Sequence, residues 1–292
     1  PQLLARAVQL QAFLGGLVNQ LLAIEARRRG MPTVSMVHGA GGQHVECPYR
    51  FELQMEYLIS YGDWHEPLYK WNPSLRKIVP CGNIELEGYD PDATDMTLPV
   101  AREGRRTIGI LNSFNRLHVL DAAPRSGGLF LDDAETEAWA RQELAPLFDW
   151  LAGRDDLIVL WKTKLGGAVL DFDRDDPTNL DRIVWHPIIA PLVARIPRER
   201  LVFMSHLSLE QVIGQCDIAV TTDISSAMAC AMTAGVPTVS HDISYGEMYK
   251  RYHPRLASET MTGVVENLEW LLDNPLPADV FEKFNRDFHG IP

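Results

Sequence analysis

A polar turn between two apolar segments could bind the phosphates of a ligand. Residues 218–220 form an apolar run, residues 221–226 are polar except for Ile224, and residues 227–234 are small helix formers. Residues 236–239 predict the next strand, so the segment is typical of a βαβ unit. The turn lies at a helix N-terminus, where backbone N–H groups and the helix dipole favour an anion. The residues expected to bind a donor here are Ser225 and Ser226, through a diphosphate, and Asp223, through a hydroxyl or ribose.

Polar residues also follow three other predicted strands, at 107–111, 157–161 and 201–204. In an open parallel sheet, ligands bind beyond the carboxyl ends of the strands, which meet at one edge. Each turn alone is typical of an ordinary loop, and it is their shared position that indicates a site. Lysines suit a diphosphate, and a histidine could hold a nucleobase. The donor-binding residues expected after these strands are Asn112, Ser113, Lys162, Lys164 and His206.

The composition limits the class of protein. The chain has 292 residues, 46% of them hydrophobic, and a formal net charge of −12. That charge disfavours nucleic acid as a partner, because binding phosphates requires a basic surface. No apolar run approaches the ~20 residues of a membrane span. The four cysteines have no CxxC spacing, which favours reduced thiols in a cytoplasmic protein.

The order of predicted elements indicates an α/β fold. Strands alternate with helices, which is typical of a parallel sheet covered on both faces. A segment rich in Asp, Pro and Thr at 87–104 predicts a linker. We therefore expect two Rossmann-like domains facing a cleft, at 1–100 and 101–292. The first domain would be incomplete, since both ends of the chain look cut. No GxGxxG or Walker A sequence is present, so we expect no dinucleotide cofactor.

The order of several motifs resembles one branch of the GT-B glycosyltransferases. That branch includes the CDP-glycerol glycerophosphotransferases and related bacterial surface-polysaccharide transferases. The residues that carry the resemblance are His38-Gly39, Gly62, Gly82 with Asp90, Asp223-Ile224-Ser225-Ser226, and Gly235-Val236-Pro237. The chain departs from the family where a His-Pro pair usually follows the strand at 157–161, because Lys162-Thr163-Lys164 stands there. His186-Pro187 lies some twenty residues later as an alternative.

The resemblance implies a metal-independent transferase. It would move a sugar or alditol-phosphate group from a nucleotide-sugar or CDP-alditol donor to a polysaccharide or lipid-linked acceptor of the cell envelope or capsule. The second domain would hold the donor, and the first would present the acceptor and the base. Such an enzyme would work in the cytoplasm, at or near the inner face of the membrane. Two other functions stay open, a UDP-sugar 2-epimerase and a non-catalytic nucleotide-sugar-binding module.

His38 is the candidate catalytic base. It follows the predicted strand at 32–37 and precedes a glycine-rich turn, so it could face the cleft and deprotonate an acceptor hydroxyl. A histidine that only hydrogen-bonds the turn fits the same position. Gly39 would allow the substrate close to the backbone. Further residues that could contact the donor sugar or glycerol are His241, Asp242 and Glu247, although the first two could instead cap the next segment.

An acidic run at 171–176 offers a rival chemistry. Alternating carboxylates can bind a divalent metal, and a DxD pair would suit a metal-dependent transferase. However, Asp176 stands where an EF-hand loop would need glycine, and the run follows a strand of the Rossmann series. We therefore interpret it as a solvated loop and expect no metal site.

Overall fold

The chain folds into two α/β units. One contains Pro1–Glu87 together with Glu282–Pro292, and the other contains Gly88–Phe281. The sequence alone placed the whole of the last helix with the second domain. The computed structural model describes residues 17–36, 56–60, 62, 73–82, 102–111, 133–163, 168–222, 226–241 and 249–289.

The first unit contains a three-stranded parallel sheet. Helix α1 (Leu17–Arg28) precedes strand β1 (Val34–Met36), and the sheet continues with β2 (Tyr57–Ser60) and β3 (Lys77–Pro80), in the order β1-β2-β3. Leu58 of β2 is 1% exposed and packs with Leu75 and Ile78. The local structure of this unit explains why glycine stands at two of the positions that carry the family resemblance.

Gly62 permits a close approach between segments of the first unit. A Cβ at this position would lie 2.2 Å from the carbonyl oxygen of Asp287, so only glycine fits beside that backbone. Gly82 has a φ of +83°, a left-handed conformation that glycine adopts without strain.

The second unit contains a six-stranded parallel sheet in the order β11-β10-β9-β4-β5-β8. Its strands are β4 (Arg106–Leu111), β5 (Leu157–Lys162), β8 (Leu201–Phe203), β9 (Ile218–Thr222), β10 (Thr238–His241) and β11 (Ala257–Ser258). Consecutive residues of a strand point to opposite faces. Because residues 107–111 are all buried, both faces of the sheet are covered, as the near-continuous apolar runs predict.

Helices pack in pairs around this sheet. They are α2 (Asp133–Gly153), α3 (Ala190–Val193), α4 (Leu209–Ile213), α5 (Ser226–Thr233) and α6 (Met261–Asp273), and α7 (Ala278–His289) follows them. Helix α2 packs against α6, and α4 packs against α5. The small side chains Ala227, Ala229 and Ala231 of α5 are fully buried. Within the described residues, no helix is both long and apolar enough to cross a membrane.

An antiparallel hairpin was not expected from the sequence. Strands β6 (Val169–Asp171) and β7 (Val184–Trp185) pair outside the main sheet. Trp185 packs edge-to-face on Trp161 of β5, with 4.9 Å between the ring centroids. Strands of two or three residues are too short to show a hydrophobic period, which is why the sequence gives no sign of them.

Strand limits differ from the predicted ones near the polar turn. Strand β9 continues through Thr221 and Thr222, beyond the predicted end at residue 220, because β-branched threonines fit an extended strand. Strand β10 begins at Thr238 and not at residue 236, since Pro237 has no N–H to pair. The segment between β9 and the next helix is therefore shorter than the sequence suggested, and that helix begins at Ser226.

Candidate nucleotide site

The strand order of the second unit creates a topological switch point. The chain runs from β4 outward through β5 to β8, and then returns to the other side of β4 to form β9, β10 and β11. Neighbouring connections therefore leave β4 and β9 in opposite directions, which opens a crevice at their carboxyl ends. In doubly wound sheets, this crevice is where ligands bind.

The strand registers place Lys162 and His241 at the same edge of the sheet. Lys162 of β5 pairs with Leu111, the last residue of β4, while Thr222 of β9 pairs with His241 of β10. Ile110 of β4 pairs with Val220 of β9, so both pairs lie just beyond this central pair, toward the carboxyl edge. The strands β4, β5, β9 and β10 therefore end close to the same level.

Lys162 is anchored on the β5–β8 side of the switch point. Its Nζ donates a hydrogen bond to the carbonyl oxygen of Ser205, at 3.3 Å, and the side chain is half-buried. The backbone N–H of Thr163 donates to Ser205 Oγ, at 3.0 Å. These two bonds connect the turn after β5 to the turn after β8. The ammonium group is thus held at the sheet edge, next to the turn that follows β8.

His206 is exposed next to this lysine. Partial burial lowers the pKa of His206, and the positive charge of Lys162 lowers the pKa further. Both causes favour the neutral imidazole at pH 7. A neutral imidazole has one donor and one acceptor nitrogen, which suits the polar edge of a nucleobase.

Polar side chains are more deeply buried on the β9–β10 side. Thr221 is fully buried, and among the described residues its Oγ1 has no hydrogen-bond partner. Ser226 is half-buried and begins the eight-residue helix α5, directly after the turn that follows β9. The first N–H groups of a helix have no partner within the helix, so they can donate hydrogen bonds to groups outside it.

His241 is enclosed by two helices. It is 1% exposed, and its Nε2 lies 3.4 Å from Oε1 of Glu143 in α2, close enough for an ion pair when the imidazole is protonated. That contact does not meet the geometry of a hydrogen bond. The same carboxylate oxygen accepts a hydrogen bond from the backbone N–H of Met261 at the start of α6, at 3.3 Å. His241 therefore connects the end of β10 to α2 and α6, and its predicted contact with substrate stays a prediction.

The acidic run makes its contacts within its own hairpin. The Arg182 guanidinium donates a hydrogen bond to Asp173 and lowers its pKa, and the backbone N–H of Asp175 donates to the same carboxylate at 2.9 Å. Asp176 accepts a hydrogen bond from the Asn179 side chain at 2.9 Å. Among the described residues, no three His, Cys, Asp or Glu side chains come together in a way that could hold a metal ion.

His186, the alternative to the family's His-Pro histidine, is used by a local turn. Its Nδ1 accepts a hydrogen bond from the backbone N–H of Ile188, at 3.3 Å. The remaining site residues predicted from the sequence lie outside the described residues, namely His38, Gly39, Asn112, Ser113, Lys164, Asp223, Ser225, Asp242 and Glu247.

Comparison with known proteins identifies the fold. Neither a protein-family model nor a curated protein sequence matches this chain. Solved structures do match. A putative UDP-N-acetylglucosamine 2-epimerase from Listeria monocytogenes is 12% identical, with a TM-score of 0.53, over 91% of this chain and 65% of its own. The fold is GT-B-like.

Two other structures share this fold. S. aureus MnaA, in a co-structure with UDP, is 8% identical with a TM-score of 0.55, over 91% of this chain and 67% of its own. Sucrose-phosphate synthase from Thermosynechococcus elongatus is 13% identical with a TM-score of 0.53, over 92% and 67%. The chain therefore spans about two thirds of the length of each match, consistent with a partial GT-B fold.

Three residues near the edge were not among the site residues predicted from the sequence. Ser205 orients Lys162 and Thr163, and its position directly after a strand could have indicated it. Thr221 was counted as part of the turn, although its β-branched side chain favours a strand. Nothing in the sequence indicated that Glu143 belongs near the site, because it lies in the middle of a long helix and meets His241 through tertiary packing.

Proposed function

We propose that this chain is a GT-B-like transferase that moves a sugar or alditol-phosphate group from a nucleotide-diphosphate donor to a cell-envelope or capsule polysaccharide. The observation that carries the proposal is the switch point between β4 and β9, where a helix begins directly beyond the end of β9. A diphosphate fits there because it would accept hydrogen bonds from the first N–H groups of α5.

The two sides of the switch point would bind different parts of the donor. Ser225, Ser226 and the start of α5 would hold the diphosphate, with Lys162 and Lys164 neutralising its charge. The neutral imidazole of His206 would hydrogen-bond the nucleobase. Asn112 and Ser113 would line the crevice from the end of β4, and Asp223 would hold a ribose hydroxyl.

The first unit would present the acceptor. His38 would remove the proton from the acceptor hydroxyl while that oxygen attacks the transferred group and the nucleotide leaves. Gly39 would allow the acceptor close to the backbone, and Asp242 and Glu247 would contact hydroxyls of the transferred group. His241 is enclosed, so its part would be to support the loop that carries these two carboxylates.

Metal independence is part of the proposal. It is supported by the partners of Asp173 and Asp176, since an arginine, an asparagine and a backbone N–H already occupy their carboxylates. We expect transferase activity to survive an excess of EDTA. Activity lost in EDTA and restored by Mn²⁺ would replace this reading with the metal-dependent one.

Calorimetric titration with CDP, UDP and GDP, and with the corresponding monophosphates CMP, UMP and GMP, tests the donor site. We expect one nucleoside diphosphate to bind at least tenfold more tightly than the corresponding monophosphate, because only the diphosphate reaches the start of α5. A thermal-shift screen with the same ligands provides an independent readout, since a ligand that binds only the folded state raises the melting temperature. The absence of binding by all three nucleoside diphosphates would contradict the proposal.

A UDP-sugar 2-epimerase is the second candidate. It is supported by the likeness of the fold to two structures, one described as a putative UDP-N-acetylglucosamine 2-epimerase and the other solved with UDP. Incubating the chain with UDP-N-acetylglucosamine alone separates the two functions. Epimerised sugar in the NMR spectrum would favour the epimerase, whereas turnover only in the presence of an acceptor would favour the transferase. Binding without either reaction would indicate a non-catalytic module.

A further inference from the structure

A cavity of about 640 Å³ opens at the amino edge of the sheet in the first unit. Its lining includes residues that stand just before the three strands, namely Pro32 before β1, Glu56 before β2 and Arg76 before β3. Because the strands are parallel, this edge is opposite the carboxyl edge, beyond which the chain continues from β1 toward His38. Small-molecule sites usually have volumes of roughly 300–1,000 Å³, so the cavity has the size of a ligand site.

A buried carboxylate holds Arg76 at this cavity. The Glu56 side chain is 8% exposed, its Oε2 accepts a hydrogen bond from the backbone N–H of Thr33 at 3.3 Å, and its Oε1 lies 2.8 Å from a guanidinium nitrogen of Arg76. The backbone N–H of Arg76 donates to the carbonyl oxygen of Glu56 at 2.7 Å, which fixes the start of the arginine side chain. The contact with Glu56 uses one nitrogen of a guanidinium that has several N–H donors, so the others can meet an anion.

Arg28 is the second accessible cation of the cavity. Its side chain is 78% exposed and lies 3.9 Å from the carboxylate of Glu25, whereas Arg29 meets the same carboxylate at 2.7 Å. Arg27 also lines the cavity, but it donates a hydrogen bond to Ser74 Oγ at 2.9 Å and so connects α1 to the segment before β3. We therefore assign contact with a ligand to Arg28 and Arg76 and give Arg27 a supporting part.

The rest of the lining is apolar and includes a capped helix end. Ile24, Met31 and Pro32 form the apolar part. Two of the last carbonyl groups of α1 accept hydrogen bonds from the backbone N–H groups of Gly30 and Met31, at 2.9 Å each. These bonds satisfy the oxygens that would otherwise repel an anion at a helix C-terminus.

We propose that this cavity binds a small organic phosphate monoester with an apolar body. Two guanidiniums from different elements suit the terminal oxygens of a phosphate, whereas one guanidinium can match a carboxylate by itself. Arg28 and Arg76 would bind the phosphate, and Ile24 and Met31 would contact the body of the ligand. The inference goes beyond the proposed function and does not depend on the nucleotide site.

Calorimetric titration of the chain with phenyl phosphate, inorganic phosphate and phenol tests the inference. We expect phenyl phosphate to bind at least tenfold more tightly than either of the others, because it alone meets both parts of the lining. Arg28→Gln should lower its affinity at least tenfold. Arg29→Gln is the matched control, since it removes a neighbouring arginine that is not among the lining residues. Met31→Ser should weaken the binding of phenyl phosphate several-fold and leave that of inorganic phosphate unchanged.

Modification of arginines by phenylglyoxal locates the ligand without any substitution. Saturating phenyl phosphate should protect Arg28 and Arg76, as mapped by mass spectrometry, while Arg29 and the exposed Arg174 of the second unit react as before. No binding of phenyl phosphate, or equal losses of affinity in the Arg28 and Arg29 variants, would overturn the inference. So would a loss of binding in Lys162→Ala with none in Arg28→Gln, since the phosphate would then occupy the second unit.

Discussion

The two sides of the switch point carry similar residues in very different environments. On the β5–β8 side, His206 is exposed and Lys162 is half-buried, so both are accessible to a ligand. On the β9–β10 side, Thr221 and His241 are buried, and His241 faces Glu143. The difference arises because α2 and α6 cover the end of β10, whereas Ser205 connects the turns after β5 and β8.

This contrast separates two kinds of polar residue at a sheet edge. The accessible ones can exchange water for a ligand at little cost to the fold. The buried ones have already lost their water, so removing one affects the packing around it. A polar residue after a strand is therefore a candidate ligand contact only when no helix covers it.

The largest effect should come from a residue on neither side of the switch point. If His38 is the base, His38→Ala should lower turnover by roughly 10²–10⁴-fold while donor affinity changes little, as expected for a group that acts mainly in the transition state. Steady-state kinetics and calorimetry measure the two quantities. The pH profile should also lose the limb that a histidine contributes. His44→Ala serves as a control, and normal turnover in the His38 variant would leave the base unidentified.

The two histidines give the most direct test of the contrast. His241→Ala should destabilise the fold by about 2 kcal/mol, because it empties a buried site beside Glu143. For a unit of this size, we expect a fall in melting temperature of about 4–8 °C. His206→Ala should change the melting temperature by only about 1 °C, as is usual for an exposed residue. Equal shifts for the two variants would mean that burial does not distinguish the two sides.

The start of α5 should contribute to diphosphate affinity. Replacing Ser225 and Ser226 together with alanine should weaken nucleoside-diphosphate binding by more than tenfold, or about 1.4 kcal/mol. Calorimetry measures the loss, and circular dichroism verifies that the fold is intact. Ser74→Ala, in the first unit, is the control. Unchanged affinity in the double variant would place the diphosphate elsewhere.

Loss of the Lys162 side chain should have the smallest effect on binding, because water and Lys164 can partly take over its interaction with the diphosphate. Lys162→Ala should reduce diphosphate binding several-fold and leave binding of the free nucleoside unchanged, since only the diphosphate carries the charge. The same variant should raise the pKa of His206, which Lys162 lowers, and NMR titration can follow this change. Lys283→Ala removes one charge from α7 as a control. Equal losses for both ligands would show that Lys162 acts through folding.

The sheet edge could be predicted from the sequence because buried parallel strands appear as continuous apolar runs. Each of the apolar runs that became β4, β5, β8 and β9 is followed by a polar residue. The strand registers bring the ends of these runs to one level. The order of the strands, and with it the switch point, could not be predicted. The strand order depends on the side of β4 to which each later strand is added. The residues of a strand do not by themselves determine that side.

The burial of the individual site residues could not be predicted from the sequence either. His206 and His241 both follow or end an apolar run, and nothing near either residue indicates which one a helix will cover. The burial of His241 depends on Glu143 and Met261, and both residues lie far from it along the chain. The β6–β7 hairpin was missed for a similar reason, since it makes aromatic contacts with β5 and β8, which lie in a different sheet.

The approach of α7 to Gly62 has a consequence for synthesis of the chain. Residues 282–292 belong to the first unit, although the whole second unit separates them from the rest of it. During translation, the first unit therefore cannot be completed until residues 88–281 have been made, a delay of roughly 10–40 s at usual rates of synthesis. The second unit should therefore finish folding first, although the first unit begins earlier in the chain.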